Sequence, residues 1–374
     1  GQIPDTMQPE CGPNQVPSIK YSAPPLQRRY DVDWLRTLAM ALLIVYHVVL
    51  CFQPWAALIG FPQNNPTLEG VWPFMAMINI WRIPILFLVS GMGVRFAMER
   101  RDWKQLLKDR TLRILIPYLF GIVALQSLTN MLMPYLGWDA EYEITFGHLW
   151  FLLNIFIYFS CLMGIMIYLK DRPDNGFFRF LSKLIQLPFG LFLFALPLML
   201  EAWLVNPQYF STYVDSIHGW LMGAICFFLG FTFISLGDVF WPAVKKVRWL
   251  ALAVAVPLFL LRILVLEQGS SLNWLIAFES MNWMLAVLGF GSSYLNKQSD
   301  HLRYFSKAVY PVYIVHLPIQ FIAAYFLLPL ELPAYLKLTL LLICTFSFSL
   351  LLYEFKHRRL KWLRPLFGNK LTER

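Results

Sequence analysis

The sequence predicts an all-α, polytopic membrane bundle of about ten transmembrane helices with both termini in the cytoplasm. Three observations carry that prediction. Hydrophobic side chains make up 58% of the 374 residues and charged ones only 14%, far from the composition of a soluble domain. Apolar runs long enough to cross a hydrocarbon layer of about 30 Å recur along the chain. Lys and Arg collect in every second connecting segment.

The runs cover 34–53, 72–97, 112–136, 148–169, 184–204, 216–236, 247–266, 274–295, 305–328 and 335–355. Kinks are expected at Pro73 and Pro84 in the second and at Pro188 and Pro197 in the fifth, because proline removes a helical N–H. Segments 53–71, 137–147, 205–215, 267–273 and 329–334 contain no Lys or Arg but carry Glu69, Asp139, Glu141, Glu143, Asp215, Glu267 and Glu331. The alternate segments, "RFAMERRDWKQLLKDRTLR" and "KKVR" among them, hold nearly all the positive charge and are therefore assigned to the cytoplasm. This topology also accounts for the net charge of +9 without nucleic acid, since no soluble module gathers the basic residues. The five Cys show no CxxC spacing and are expected as thiols rather than a disulfide framework.

Residues 1–29, rich in Pro and Gln and without an apolar core, are expected to form a flexible cytoplasmic tail with no signal peptide. Residues 30–356 form the membrane domain and 357–374 a basic cytoplasmic tail. Any chemistry must then be built from helix interiors and short loops.

Arg36, Arg82, Arg262 and Lys337 are basic residues that stand apart from the cytoplasmic clusters. Lys337 begins the last run and can snorkel. Arg82 sits near the middle of the second run, where an arginine costs about 2.5–3.5 kcal/mol unless it faces a partner or a cavity. Arg262 poses a weaker form of the same problem, and pairing with a carboxylate would explain either. The stretch "DVDWLRTLAMALLIVYHVVLCF" is more specific. Ten residues separate Arg36 from His47, which puts them within about 20° around a helix and roughly 16 Å apart along it. Asp33, one turn before Arg36, is placed to orient the guanidinium. His148, His218 and His316 lie at similar depth, with Glu201 and Glu279 near the outer surface, so a polar cavity open to the outside competes with simple helix–helix hydrogen bonding. No metal-ligand spacing occurs, and GxSxG, Walker and GxGxxG elements are absent.

A cation near the cytoplasmic face suits an anionic headgroup, and a neutral imidazole three turns deeper suits a general base. A long donor such as acyl-coenzyme A fits that spacing. The Arg-then-ten-residues-then-His pattern in its "DWLR" context resembles the membrane acyltransferase-3 family. So do "WRIPILFLVSG" (Arg82, Ser90, Gly91), "HLWFLL" (His148, Trp150) and "YPVYIVHLP" (Tyr313, His316), over about residues 30 to 368. Block order, spacing and the ending "LLYEFKHRRLKWLRPLFG" are most similar to the branch that adds succinyl groups to periplasmic glucans. The chain departs from that branch at "HLP", where a second His would follow His316.

The resemblance implies a bacterial inner-membrane enzyme that moves an acyl group from a cytoplasmic donor, succinyl-CoA or acetyl-CoA, to an extracytoplasmic carbohydrate, with no tightly bound cofactor. It assigns His47, Arg36 and Asp33 to catalysis, with His47 as base or transient acyl carrier. Arg110 and Arg113 join Arg36 on the coenzyme A phosphates, and Arg82 and Ser90 line the donor channel. His148, Trp150 and His316 position the acceptor, the Trp as a sugar-stacking face. Positive-inside topology explains Arg110 and Arg113 as well, and small-residue packing explains Ser90 beside Gly91. Acetylation of O-antigen, exopolysaccharide or a glycolipid is the nearest alternative. A proton- or anion-coupled transporter is the alternative from another class.

Overall fold

The computed structural model describes residues 26–135, 147–265, 272–359 and 361–368, and no strand occurs among them. Residues 1–25 of the expected tail, Cys11, Asp139, Glu141, Glu143, Glu267 and the end of the basic tail lie outside the described residues. Helix α1 (Tyr30–Leu50) is followed by α2 (Trp72–Met98), α3 (Trp103–Arg110), α4 (Ile116–Phe120), α5 (Ser127–Tyr135) and α6 (Trp150–Lys170). Then come α7 (Gly176–Gln186), α8 (Leu196–Val205), α9 (Ile217–Ser235) and α10 (Gly237–Leu264), and after them α11 (Asn273–Tyr294), α12 (Asp300–Leu327) and α13 (Ala334–Arg359).

Nine helical stretches among the described residues are long and apolar enough to span a membrane, and the fifth predicted run is not one of them. There α7 stops at Gln186 because Leu187, preceding Pro188, is held extended at ψ 147°. The chain then resumes as a 3₁₀ stretch (Gly190–Ala195) leading into α8. Six residues at about 2.0 Å and ten at about 1.5 Å reach roughly 27 Å, so the tighter winding stretches a short run to nearly the hydrocarbon thickness. Arg36 from the start of α1 and Gly368 beyond α13 border one cavity. Pro73 and Pro197 sit in the first turn of α2 and α8, where proline is tolerated, and neither interrupts its helix.

The third span starts earlier than its apolar pattern predicts. Asp102 and Gln105 form a reciprocal capping box, which fixes the amino end of α3 ahead of the apolar residues. Wide π turns at Thr111–Leu115 and Gly121–Gln126 separate α3, α4 and α5, a feature frequent where helices carry function.

Helix α2 is buried on nearly all sides and is apolar all round, as expected of a central helix. It packs against α1 and α9, while α10 pairs with α11 and α12 with α13. The α2–α9 crossing depends on glycine. A Cβ on Gly91 would lie 1.8 Å from the Phe227 carbonyl oxygen, and one on Gly230 would lie 1.8 Å from the Leu88 oxygen. Each helix thus offers a glycine to the other's backbone, the small-residue packing that replaces hydrophobic drive in lipid. Gly91→Ala is expected to cost about 1–3 kcal/mol through overpacking. Gly164→Ala, with nothing within 4 Å of its Cβ, should be neutral or gain up to about 1 kcal/mol. Thermal unfolding of the detergent-solubilised protein checks the pair.

Mid-helix prolines build docking points into two helices. Pro84 leaves the Ile80 carbonyl without its helical donor, and that oxygen accepts instead from Tyr213 Oη at 3.0 Å and Ser280 Oγ at 2.8 Å. Burial pushes the Tyr213 phenol well above its ordinary range, which keeps it a donor. In the same way Pro318 frees the Ile314 carbonyl of α12.

Candidate active site

Three imidazoles meet where α1, α12 and the start of α6 converge. His47 Nδ1 lies 2.9 Å from His316 Nε2, with ring planes within 3° of parallel. His316 Nδ1 donates to the Tyr313 carbonyl at 2.6 Å. His148 Nε2 donates to the Ile314 carbonyl freed by Pro318, at 3.2 Å, and its ring stands at 87° to that of His316 with centroids 5.1 Å apart. The Tyr313 hydroxyl donates back to the His148 carbonyl, and Gln320 Nε2 donates to the His47 carbonyl at 2.8 Å. These bonds lock α12 to α1 and to the loop before α6. His47 is half-buried, and His148 Nδ1 is buried without a partner.

Arg82 lies within electrostatic reach of His47. Its guanidinium covers the Tyr46 ring at 3.7 Å, and Nη2 donates to Asn79 Oδ1 at 3.0 Å. Nε and Nη1 are buried with no acceptor, in a residue only 4% exposed. No carboxylate pairs with it among the described residues. Arg262 differs. It donates to Glu279 at 2.7 and 3.0 Å and to the Ala76 carbonyl at 3.1 Å, so its charge is already balanced inside the bundle.

About 16 Å back along α1, at the basic end of the bundle, a cavity of about 290 Å³ opens. Arg36, Arg101, Arg110, Arg113 and Lys307 line it, with Asp109, Ser90, Tyr310 and Gly368. Arg36 Nη2 donates to Asp33 Oδ1 at 2.9 Å, which leaves Nε buried and unpaired. Asp33 also accepts from Arg28 at 3.2 Å, and Arg101 pairs with Asp109 at 2.6 Å. Carboxylates are outnumbered, and the surplus positive charge suits a polyphosphate. Ser90 lines this cavity while donating to the Leu86 carbonyl at 2.7 Å.

The structure therefore gathers Arg36, Ser90, Arg110 and Arg113 at one end and His47, His148 and His316 at the other, with Arg82 beside His47. Trp150 lies deeper in the packing, against α2. Its ring packs at 64° against Phe87 and is 8% exposed. His218 is spent on structure, between Glu201 at 2.9 Å and the Phe210 carbonyl at 2.9 Å. Lys337 is buried rather than snorkelling and donates to Asn64 and the Leu328 carbonyl. Arg101 and Lys307 were hidden in the cytoplasmic charge pattern, and only the cavity singles them out.

Comparison with known proteins identifies the family. The acyltransferase domain of the acyltransferase-3 family matches residues 29–354. The chain belongs to that family. It is a multi-pass membrane acyltransferase. Glucans biosynthesis protein C of Salmonella paratyphi B is 25% identical over 378 residues, covering 93% of this chain and 97% of that protein. The protein of the same name from Salmonella schwarzengrund is 26% identical over 381 residues, with the same coverage. No solved structure matches the chain. As an acyltransferase-3 protein it spans both the arginine-lined cavity and the histidine cluster within the matched region.

Proposed function

We propose that this acyltransferase, in the bacterial inner membrane, moves a succinyl or acetyl group from cytoplasmic acyl-CoA to a hydroxyl of a periplasmic glucan. The observation that carries the reading is the pairing, along one helix, of a polyphosphate-sized cationic cavity with a half-buried imidazole about 16 Å deeper. The positive-inside rule supports putting the cavity in the cytoplasm, with residues 1–29 and 357–374 as cytoplasmic tails around the membrane domain. The name of the relatives, glucans biosynthesis protein C, supports a glucan acceptor.

In this reading Arg36, oriented by Asp33, joins Arg110 and Arg113 in holding the phosphates. The pantetheine arm passes Ser90 toward Arg82. His47 takes the proton of the acceptor hydroxyl through Nε2 as the oxygen attacks the thioester carbonyl. Arg82 offers its two unpaired N–H groups to the oxyanion, and the proton leaves on the coenzyme A sulfur as the C–S bond breaks. His148 offers its unpartnered Nδ1 as an acceptor to a neighbouring hydroxyl of the glucan.

The test uses proteoliposomes given succinyl-CoA or acetyl-CoA on the cytoplasmic face and a glucan on the other, with free coenzyme A as the readout. Glucan-dependent release is expected. Arg110→Ala with Arg113→Ala should raise the donor KM roughly 10- to 100-fold, the scale of one or two charge-assisted hydrogen bonds, with a smaller change in kcat. No release from either donor with any of several glycans, in folded protein, would instead favour a coupled transporter.

A further inference from the structure

We infer that His316 is a positioning residue that fixes the tautomer of His47 and shares its proton, rather than a contact for the acceptor. The inference rests on the acyl-transfer reading above and assigns the second imidazole within it. A carbonyl oxygen can only accept, so the 2.6 Å contact with Tyr313 requires hydrogen on His316 Nδ1. A neutral imidazole has one N–H, so His316 Nε2 is then an acceptor. The 2.9 Å contact with His47 must be filled by hydrogen on His47 Nδ1. His47 Nε2 is left with its lone pair, and no hydrogen-bond partner for it occurs among the described residues.

Ring geometry supports the chain of donors. Parallel planes at a centroid separation of 5.1 Å, with nitrogens 2.9 Å apart, describe rings meeting edge to edge, where an in-plane lone pair faces an N–H. Gln320, one turn beyond His316, holds the helices in register through the His47 carbonyl. His316 is itself fully buried, which suits a group held behind the base better than one that meets a sugar.

During transfer the acceptor proton goes to His47 Nε2 as the new C–O bond forms. The Nδ1 proton of His47 passes to His316 Nε2, so the positive charge moves one ring further from Arg82. When the tetrahedral intermediate collapses, that proton returns to His47 Nδ1 and the Nε2 proton goes to the departing sulfur. Protons balance at each stage. Arg82 and Tyr46 on the α1–α2 side, His148 from the start of α6, and Tyr313, whose ring stacks on that of His316 at 5.8 Å, are the titratable and charged groups facing the pair.

Two variants test this in the full-length protein. In His316→Gln the amide oxygen can still accept from His47 Nδ1 but cannot take its proton; His316→Phe does neither. Diethyl pyrocarbonate acylates an imidazole only at an unprotonated nitrogen, and its reaction at His47, followed by mass spectrometry, requires no substrate. The rate should stay near the parent's in His316→Gln and fall at least about threefold in His316→Phe. In the coenzyme A release assay kcat should fall roughly 10-fold in the Gln variant and about 100-fold in the Phe variant, with acceptor KM within about twofold. Equal modification rates in all three proteins, or a raised acceptor KM at unchanged kcat, overturns the assignment. If the parent releases no coenzyme A, the acyl-transfer reading fails, and the modification rates still decide whether His316 sets the His47 tautomer.

Discussion

Replacing His47 with alanine or glutamine is expected to lower kcat for glucan-dependent coenzyme A release by about 10²- to 10⁴-fold, the usual contribution of a positioned base. The loss should fall on kcat, because the cationic cavity lies roughly 16 Å away along α1 and keeps its own side chains. Folding should survive the change. His47 is half-buried, and the bond that ties it to Gln320 uses its backbone carbonyl, which both variants retain. Steady-state kinetics with donor and acceptor varied separately checks the split. A variant with parental kcat and a raised donor KM would make His47 a binding group and remove it from the chemistry.

Arg82→Met should lower kcat by about 10²- to 10³-fold, the scale for losing one oxyanion donor. Methionine keeps much of the aliphatic stem's volume, so the change isolates the charge and its N–H groups. Stability should move the other way. A buried guanidinium with two unpaired N–H groups and no carboxylate costs the resting protein free energy, so the variant should melt no lower than the parent and is expected to melt higher. Activity assay and thermal unfolding on the same preparation make the comparison. Parental kcat with lowered stability would mean that Arg82 holds helices together and does nothing to the thioester. Arg262, neutralised by Glu279, shows what a purely structural buried arginine looks like in the same bundle.

Much of the architecture was legible because hydrocarbon thickness and charge placement act on short stretches of sequence. Helical period alone brought Arg36 and His47 onto one face, since both sit on α1. What failed did so for local or long-range reasons. The fifth run is broken rather than one regular helix, and hydropathy does not register the 3₁₀ stretch or the extended residue before Pro188. The third span began early because a capping box, not apolarity, starts α3. The meeting of His47 with His316 joins positions 269 residues apart, and no periodicity within one helix reports it. Arg262 could not be told from Arg82 until Glu279 appeared beside only one of them. Residue type alone offered Trp150 as a stacking face and gave no sign of its contact with Phe87.

The two carbonyls released by Pro84 and Pro318 set up a competition for an acceptor. In a regular helix each oxygen would go to the amide four residues on; here Ile80 serves Tyr213 and Ser280, and Ile314 serves His148. Helix regularity and site assembly therefore draw on the same atoms, and a change that perfects the helix takes an anchor from the site. At Pro84 and Pro318 the proline thus works as an address: counting four residues back locates the oxygen where a distant part of the chain attaches.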